Sequence, residues 1–430
     1  MPDLLPLHEA YPRRYPHLLE SVARGSDSAA EQSRYDILFA FPGETVSGDE
    51  FLARLDAVHA ENRASGADRS LPFRGGWFLY LGYELAAEIE PTLRLPADDF
   101  GLPIANATRF PAAVIRDRRE HRCWLVAEDE ALIARMRADL EAVDFGAVPI
   151  IAIEAARVTE SRGDGYLDAL AHIHDYIVEG DVFQVNLSRP WHIELARDTP
   201  PSVLYRRLRE ANPAPFAALV TFADHAIVSS SPERLVAVRD GHVDTRPIAG
   251  TRRRDPDAIR DAELRAELIA HPKERAEHIM LIDLERNDLG RVCLPGSVEV
   301  NELMVLESYA HVHHIVSNVR GRLRDGVTPG QVICAVFPGG TITGCPKVRC
   351  MEIIAELEAT GRGAYTGSVG YLNRDGDMDL NILIRTIEQH GRKLRLRAGA
   401  GIVVDAKPVQ ELAETRNKAR GMLLALGVEA

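Results

Sequence analysis

Apolar residues in this chain come mainly in short bursts of strand length, closed by glycine, proline or Asp-Gly turns, with helical stretches between groups of them. Gly75 to Tyr83 is aromatic and bounded by glycine, which predicts a strand. Ala112 to Glu128 predicts a hairpin, two apolar runs about a charged turn. Leu132, Ile133, Met136 and Leu140 recur at helical spacing, so Glu130 to Val143 is read as a helix. The pattern then loosens between Gly146 and Gly163, which predicts two regions, 1–150 and 151–430. Beyond it, Gly165 to Glu179 is an amphipathic helix and Val182 to Ser188 a strand with alternating faces. Leu204 to Ala211 is helical and stops at Asn212-Pro213. Ala218 to Phe222 and Ala226 to Ser229 read as strands, and hairpins turn at Asp240-Gly241, Asp375-Gly376 and His390-Gly391. Helices are predicted over Pro272 to Asn287, Pro346 to Glu358 and Val409 to Leu426. Hairpins grouped between helices predict an α+β fold on antiparallel sheets, not a doubly wound parallel sheet.

Composition narrows the function classes. The 430 residues carry a formal net charge of −13 with no long basic run, which argues against a nucleic-acid partner. A small anionic substrate is compatible with that charge if a local cationic pocket opposes it. Five cysteines without a Cys-x-x-Cys pair make a zinc knuckle or a disulfide framework unexpected. The first residues lack a basic, apolar leader, and no stretch has the length of a membrane span, so a cytoplasmic protein with no membrane partner is expected.

Candidate chemistry gathers in the second region. Pro247-Ile-Ala-Gly-Thr251 reads as a strand end turning at Gly250. Glu274 and Glu277 share a helix face, as do Glu411, Glu414 and Lys418. One such pair is ordinarily a solvated face, but two on separate helices could supply oxygen ligands to one Mg²⁺. Gly339 to Gly344 is a glycine-rich loop before a helix; lacking Gly-Lys-Ser/Thr it is no P-loop, and either a carboxylate seat or a plain turn fits it. Arg385, in Ile384-Arg-Thr386, is a charge inside a strand-like apolar run and needs a carboxylate or an anionic ligand. His313 and His314 are either core residues or acid/base groups.

Taken in order, these segments resemble the chorismate-utilising enzymes. The motifs are Phe183-Gln-Val-Asn-Leu-Ser188, Ser229-Ser-Ser-Pro-Glu-Arg234, Pro247-Ile-Ala-Gly-Thr251, Lys273-Glu-Arg-Ala-Glu-His278 and Asp283-Leu-Glu-Arg-Asn-Asp-Leu-Gly-Arg291. They continue with His313-His-Ile-Val-Ser317, Gly340-Thr-Ile-Thr-Gly-Cys-Pro-Lys-Val-Arg349, Ala364-Tyr-Thr-Gly-Ser368, Ile384-Arg-Thr386, Ala398-Gly-Ala-Gly-Ile402 and Glu411 to Lys418. They cover about residues 160–425 densely; residues 1–130 match weakly, through Leu18-Leu-Glu-Ser21 and Gly75-Gly-Trp-Phe.

The resemblance implies a four-layer sandwich of antiparallel sheets flanked by helices, with an N-terminal anthranilate synthase component I-like region and a chorismate-binding catalytic domain. It implies Mg²⁺ on Glu277 and Glu414, with Glu274 and Glu411 close through water and Lys418 beside them. Glu233 would be the general acid for the departing C4 hydroxyl. Tyr365 and Arg385, with Ile384 alongside, would hold the enolpyruvyl carboxylate. Ala249, Gly250, Thr251 and Gly399 would line the ring, and His314 and Thr341 would face the pyruvyl side. Family members that add water have a lysine base where this chain has Gln184, so ammonia is the implied nucleophile, supplied freely or by a glutamine amidotransferase subunit. The motif variants around His314, Thr341 and Asp379 resemble component I of the enzymes that aminate C4 on the way to 4-aminobenzoate and folate. Ala249 stands where the best-studied of those have a lysine, and resembles the anthranilate-forming branch instead. The family also has a tryptophan site in its N-terminal region, from whose Pro-Ser-Pro-Tyr pattern Asn212-Pro-Ala-Pro-Phe216 departs. A non-catalytic binding subunit of the same fold is the reading from another class, and the intact set of four glutamates with Lys418 argues against it.

Overall fold

A computed structural model describes residues 3–22, 34–64, 69–146, 151–309 and 312–428. The residues before 150 supply β1 (His17–Glu20), β2 (Tyr35–Ala40), β3 (Thr45–Ser47), β4 (Gly76–Leu81), β5 (Ala105–Phe110), β6 (Ala112–Asp117) and β7 (Arg122–Ala127). Those after it supply β8 (Ala155–Glu160), β9 (Gln184–Leu195), β10 (Phe216–Thr221), β11 (His225–Ser231), β12 (Arg234–Arg239), β13 (His242–Thr245) and β14 (Ile248–Arg253). The remainder are β15 (Glu299–Ser308), β16 (Val312–Arg322), β17 (Gly344–Cys345), β18 (Ser368–Asn373), β19 (Met378–Asn381), β20 (Thr386–His390) and β21 (Lys393–Ile402).

Two sheets result, antiparallel throughout. One runs β17-β9-β21-β20-β11-β10-β1-β2-β6-β7, with β8 also on β9; the other runs β14-β16-β13-β12-β19-β18-β4-β5-β3, with β15 on β16. In each sheet the strands from before residue 150 form one block at an end, β1-β2-β6-β7 in the first and β4-β5-β3 in the second, joined edge-on to the strands from after it. The sheets face one another, and the alternation of side chains along each strand sorts the core into layers. Ile37 and Phe39 of β2, Ala113 and Ile115 of β6, and Phe78 and Tyr80 of β4 fill the space between the sheets. Leu38, Ala40, Ala112 and Val114 point the other way, to a core shared with the helices Pro201–Ala211 and Pro408–Ala425. Trp77, Leu79 and Leu81 do the same for the second sheet, against the helices Phe51–Glu61, Pro272–Gly290 and Pro329–Val336. The result is a four-layer α+β sandwich. Strands buried on both faces explain why their sequences read as continuous apolar runs. Among the described residues, no helix is long and apolar enough to cross a membrane.

Three local expectations are corrected. Pro247 to Thr251 does not end a strand: β14 starts at Ile248 and runs on to Arg253, with a bulge between Ala249 and Thr251 where Gly250 takes φ +65°. Ile384-Arg385 is not strand; it lies in the break between β19 and β20, and Arg385 has φ +54°. The loosened stretch from Gly146 to Gly163 contains β8 (residues 147–150 lie outside those described).

Candidate active site

Two chain crossovers build the heart of the site. Between β11 and β12 the chain passes from one sheet to the other through Pro232-Glu233, and between β19 and β20 it passes back through Ile382 to Arg385. The crossovers lie side by side: Ile382 N donates to Glu233 O at 3.0 Å and Ser230 N to Arg385 O at 3.1 Å. A carboxyl and a guanidinium far apart in sequence are thereby held at one junction of the sheets.

Glu233 is 5% exposed. Burial pushes its carboxyl up to about 7, opposed by the Thr341 hydroxyl and the Arg385 charge. Thr341 Oγ1 donates to Glu233 Oε1 at 2.8 Å. The glycine-rich loop thus contributes a hydroxyl through a short helical turn, Gly340–Ile342, while the helix behind it begins with Lys347 tied to Asp288. Arg385 is half-buried, and burial lowers its pKa against the pull of Tyr365, Glu414 and Glu233; a guanidinium stays charged regardless. Among the described residues its side chain makes no hydrogen bond or ion pair, so this is a cation facing the site without a structural partner.

The next wall is β9 with β21. Gln184, Asn186 and Ser188 share one face of β9 by the two-residue period. Gln184 Nε2 donates to Glu277 Oε1 at 3.1 Å, and the buried Gln184 Oε1 and Asn186 Oδ1 have no hydrogen-bond partner among the described residues. Opposite them stands Gly399, where a β-carbon would lie 2.8 Å from Asn186 Oδ1 and 2.9 Å from the Tyr365 hydroxyl. A side chain there would fill the site, which is why glycine occupies it. Asn186 went unremarked in the sequence, although its spacing from Gln184 marks it.

The third wall is β14 with β16. Thr251 pairs with His314 across the ladder, and Thr251 Oγ1 and His314 Nδ1 are 2.9 Å apart. Burial, then the Arg385 charge, pushes His314 down to about 4, so its ring is neutral near pH 7. His313 is a core residue, fully buried between Asp261 and Ser308. The Gly250 bulge gives close approach to Glu274, 2.9 Å from where a β-carbon would lie. Ala249 is 6% exposed and offers no nucleophile.

The carboxylates come from the helix Pro272–Gly290, which packs on β14 and β16, and from the helix Pro408–Ala425, which packs on β21. Glu277 is pushed up by burial and then by the Glu274 charge; Glu411 is pushed up by burial, then by Glu414 and, more weakly, Glu277. The Glu277 charge acting on Glu411 shows that the two pairs lie near one another. Glu274 meets Arg252 at 3.1 Å, and Glu414 meets Lys418 at 2.7 Å. Lys418 Nζ also donates to Gly399 O at 2.9 Å, tying the last helix to the wall of the site. Among the described residues no three of these carboxylates bring oxygens within 4.8 Å of one another. The all-oxygen, four-glutamate donor set nevertheless fits a hard divalent cation, whose charge would offset the repulsion that raises Glu277 and Glu411.

A four-layer sandwich with its polar residues collected on the sheet crossovers is the architecture of the anthranilate synthase component I class. The chain belongs to the chorismate binding enzyme family, whose profile matches residues 17–424, and is a chorismate-utilising enzyme. It is 40% identical to an anthranilate synthase component I-like protein of Synechocystis, over 95% of this chain and 86% of that one. It is 41% identical to aminodeoxychorismate synthase component 1 of Bacillus subtilis, over 97% of this chain and 93% of that one. The crystal structure of anthranilate synthase component I from Streptococcus pneumoniae is similar with a TM-score of 0.82 and 31% identity, covering 91% of this chain and 92% of that one.

Proposed function

We propose that the chain aminates chorismate at C4 with ammonia, giving 4-amino-4-deoxychorismate and water for 4-aminobenzoate and folate synthesis. The observation that carries amination is a buried Glu233 carboxyl, raised to about 7, beside an Arg385 that has no hydrogen-bond or ion-pair partner among the described residues, with a neutral amide, Gln184, where a base for water would be needed. Glu233 gives its proton to the C4 hydroxyl as the C–O bond breaks. Ammonia supplies its own lone pair for the new C–N bond, and the proton it then loses restores Glu233. Thr341 orients the acid. Arg385 and the Tyr365 hydroxyl, beside Ile384, hold the enolpyruvyl carboxylate. Ala249, Gly250, Thr251 and Gly399 line the ring, and neutral His314 faces the pyruvyl side. Glu274, Glu277, Glu411 and Glu414 would hold Mg²⁺, which when bound neutralises the ring carboxylate and the charge that develops as the hydroxyl departs.

Amination at C4 is supported by the near full-length similarity to the Bacillus subtilis aminodeoxychorismate synthase component. The second reading, anthranilate and pyruvate formation by attack at C2, is favoured by Ala249 and by the anthranilate synthase likenesses. The two separate in one assay. With chorismate, Mg²⁺ and ammonium at alkaline pH, 4-aminobenzoate is expected only after an aminodeoxychorismate lyase is added. Fluorescent anthranilate from the chain alone would establish the second reading. Glutamine is expected to replace ammonium only with an added amidotransferase subunit.

Leu18-Leu-Glu-Ser21 lies beside Asn212-Pro-Ala-Pro-Phe216. Glu20 of β1 pairs with Ala217 of β10, and Glu20, Ser21, Pro215 and Phe216 border a cavity of about 270 Å³. A tryptophan site would lie there.

Arg385→Met is expected to raise KM for chorismate roughly 10- to 100-fold with a smaller change in kcat, the scale of a lost charge-assisted hydrogen bond. Because the guanidinium has no hydrogen-bond or ion-pair partner among the described residues, the variant should keep its melting temperature. An unchanged KM would remove Arg385 from the carboxylate clamp.

A further inference from the structure

We propose that Asp224, His225 and His390 form a surface site for a borderline divalent metal ion such as Zn²⁺, clamping the tips of two adjacent hairpins. Asp224 lies in the turn between β10 and β11, His225 begins β11, and His390 ends β20, directly opposite His225 in the ladder. The two imidazoles stack with centroids 4.2 Å apart and planes 23° from parallel. One donor atom from each residue lies within 4.8 Å of the other two. Asp224 Oδ1 is 2.7 Å from His225 Nδ1, and Asp224 Oδ2 is 3.8 Å from His390 Nε2. Zinc bonds of about 2.1 Å in a tetrahedron put donors roughly 3.4 Å apart, between these two separations.

The two hydrogen-bond partners of His225 leave room for a cation at its Nδ1. Its Nε2 is 2.9 Å from the Phe100 carbonyl and its Nδ1 is 2.7 Å from the Asp224 carboxylate, so both partners are acceptors. A neutral imidazole has one N–H and can satisfy one of them. With Nε2–H donated to Phe100, the Nδ1 lone pair faces a carboxylate oxygen. A proton at Nδ1 would relieve that contact too, but it gives His390, 3.8 Å from Asp224 Oδ2, no part in it. With the exposed His390 ring turned off the stack so that Nε2 points toward Asp224, a metal ion there can take His225 Nδ1, the carboxylate and His390 Nε2 together. The Phe100 carbonyl then does what outer partners of ligating histidines do, fixing tautomer and ring orientation. The seat is tight, since a β-carbon at Gly101 would lie 3.1 Å from His225 Nε2. It is also reachable: the Asp224 and His390 side chains are 69% and 49% exposed. Two imidazoles and one carboxylate suit zinc better than Mg²⁺.

The site lies at the ends of β11 and β20 remote from Glu233 and Arg385. Its expected effect is to brace that strand pair, not to take part in the reaction. The test uses the full, untagged chain, stripped with EDTA and then held in excess Mg²⁺ so that the four glutamates do not compete. Calorimetric titration with ZnCl₂ is expected to show one equivalent bound, and Zn²⁺ to raise the melting temperature. His390→Ala and Asp224→Asn, both exposed changes, should each weaken binding at least tenfold and remove the melting shift. Cys123→Ser should leave both intact. No Zn²⁺ uptake under Mg²⁺, or uptake undiminished in both His390→Ala and Asp224→Asn, would overturn the proposal.

Discussion

Glu233→Gln is expected to lower kcat/KM for chorismate by roughly 10²- to 10⁴-fold, the usual contribution of a positioned general acid. The side chain is nearly isosteric and Thr341 can still donate to the amide oxygen, so the loss reports the proton and not the packing. The pH profile supplies a second signature. Burial holds the Glu233 carboxyl up at about 7, so the acid form is full below that pH and falls tenfold per unit above it. At a fixed concentration of free ammonia, kcat/KM should therefore be flat below about 7 and decline with unit slope above it. His314, pushed down to about 4, is neutral across this range and adds no limb. In Glu233→Gln the decline should vanish along with most of the activity. A variant with wild-type kcat/KM, or one that keeps the alkaline limb, would remove Glu233 from the acid role.

Glu277→Gln and Glu414→Gln are each expected to abolish measurable turnover, at least roughly 10³-fold, on the scale of several kcal/mol of charge stabilisation by a bound cation. EDTA should silence the wild-type chain, and added Mg²⁺ should restore it. Neither variant should unfold. Glu277 has its pKa raised in the folded state, by burial and then by Glu274. A raised carboxylate makes folding less favourable as pH rises from the unfolded carboxylate range through the folded value, so at pH 7 its charge costs stability. Glutamine removes that charge, and the melting temperature of Glu277→Gln without metal should be unchanged or higher. Full activity in EDTA would refute the metal requirement; loss of activity together with loss of fold would assign Glu277 a structural role.

Much of this was legible in order along the chain. The hairpins at Asp240-Gly241, Asp375-Gly376 and His390-Gly391 are where Asp-Gly and His-Gly turns predict them. The helical pairs Glu274/Glu277 and Glu411/Glu414 follow from the period of the helix. Local signals failed where the backbone departs from its regular class. Ile382-Leu-Ile-Arg385 is apolar enough to read as strand, yet it is the crossover between sheets, and its conformation is set by the hydrogen bonds to Ser230 and Glu233. Gly250 reads in the sequence as a turn at a strand end, but only the β16 partner strand decides that the position is a bulge within β14 and not its end.

By itself the sequence determined the antiparallel α+β class, the carboxylate faces and the family, because these depend on residue type and on spacing along one element. The tertiary structure alone decided which distant elements share a site. Glu233 and Arg385 meet because two crossovers run side by side between sheets. Gln184 reaches Glu277 because β9 and the Pro272–Gly290 helix converge on the same junction. Asp224, His225 and His390 meet because the β11–β20 ladder sets their register. Protonation was decided there too: a glutamate reads as an anion in any sequence, and burial, only partly opposed by Thr341 and Arg385, raises the Glu233 carboxyl to about 7.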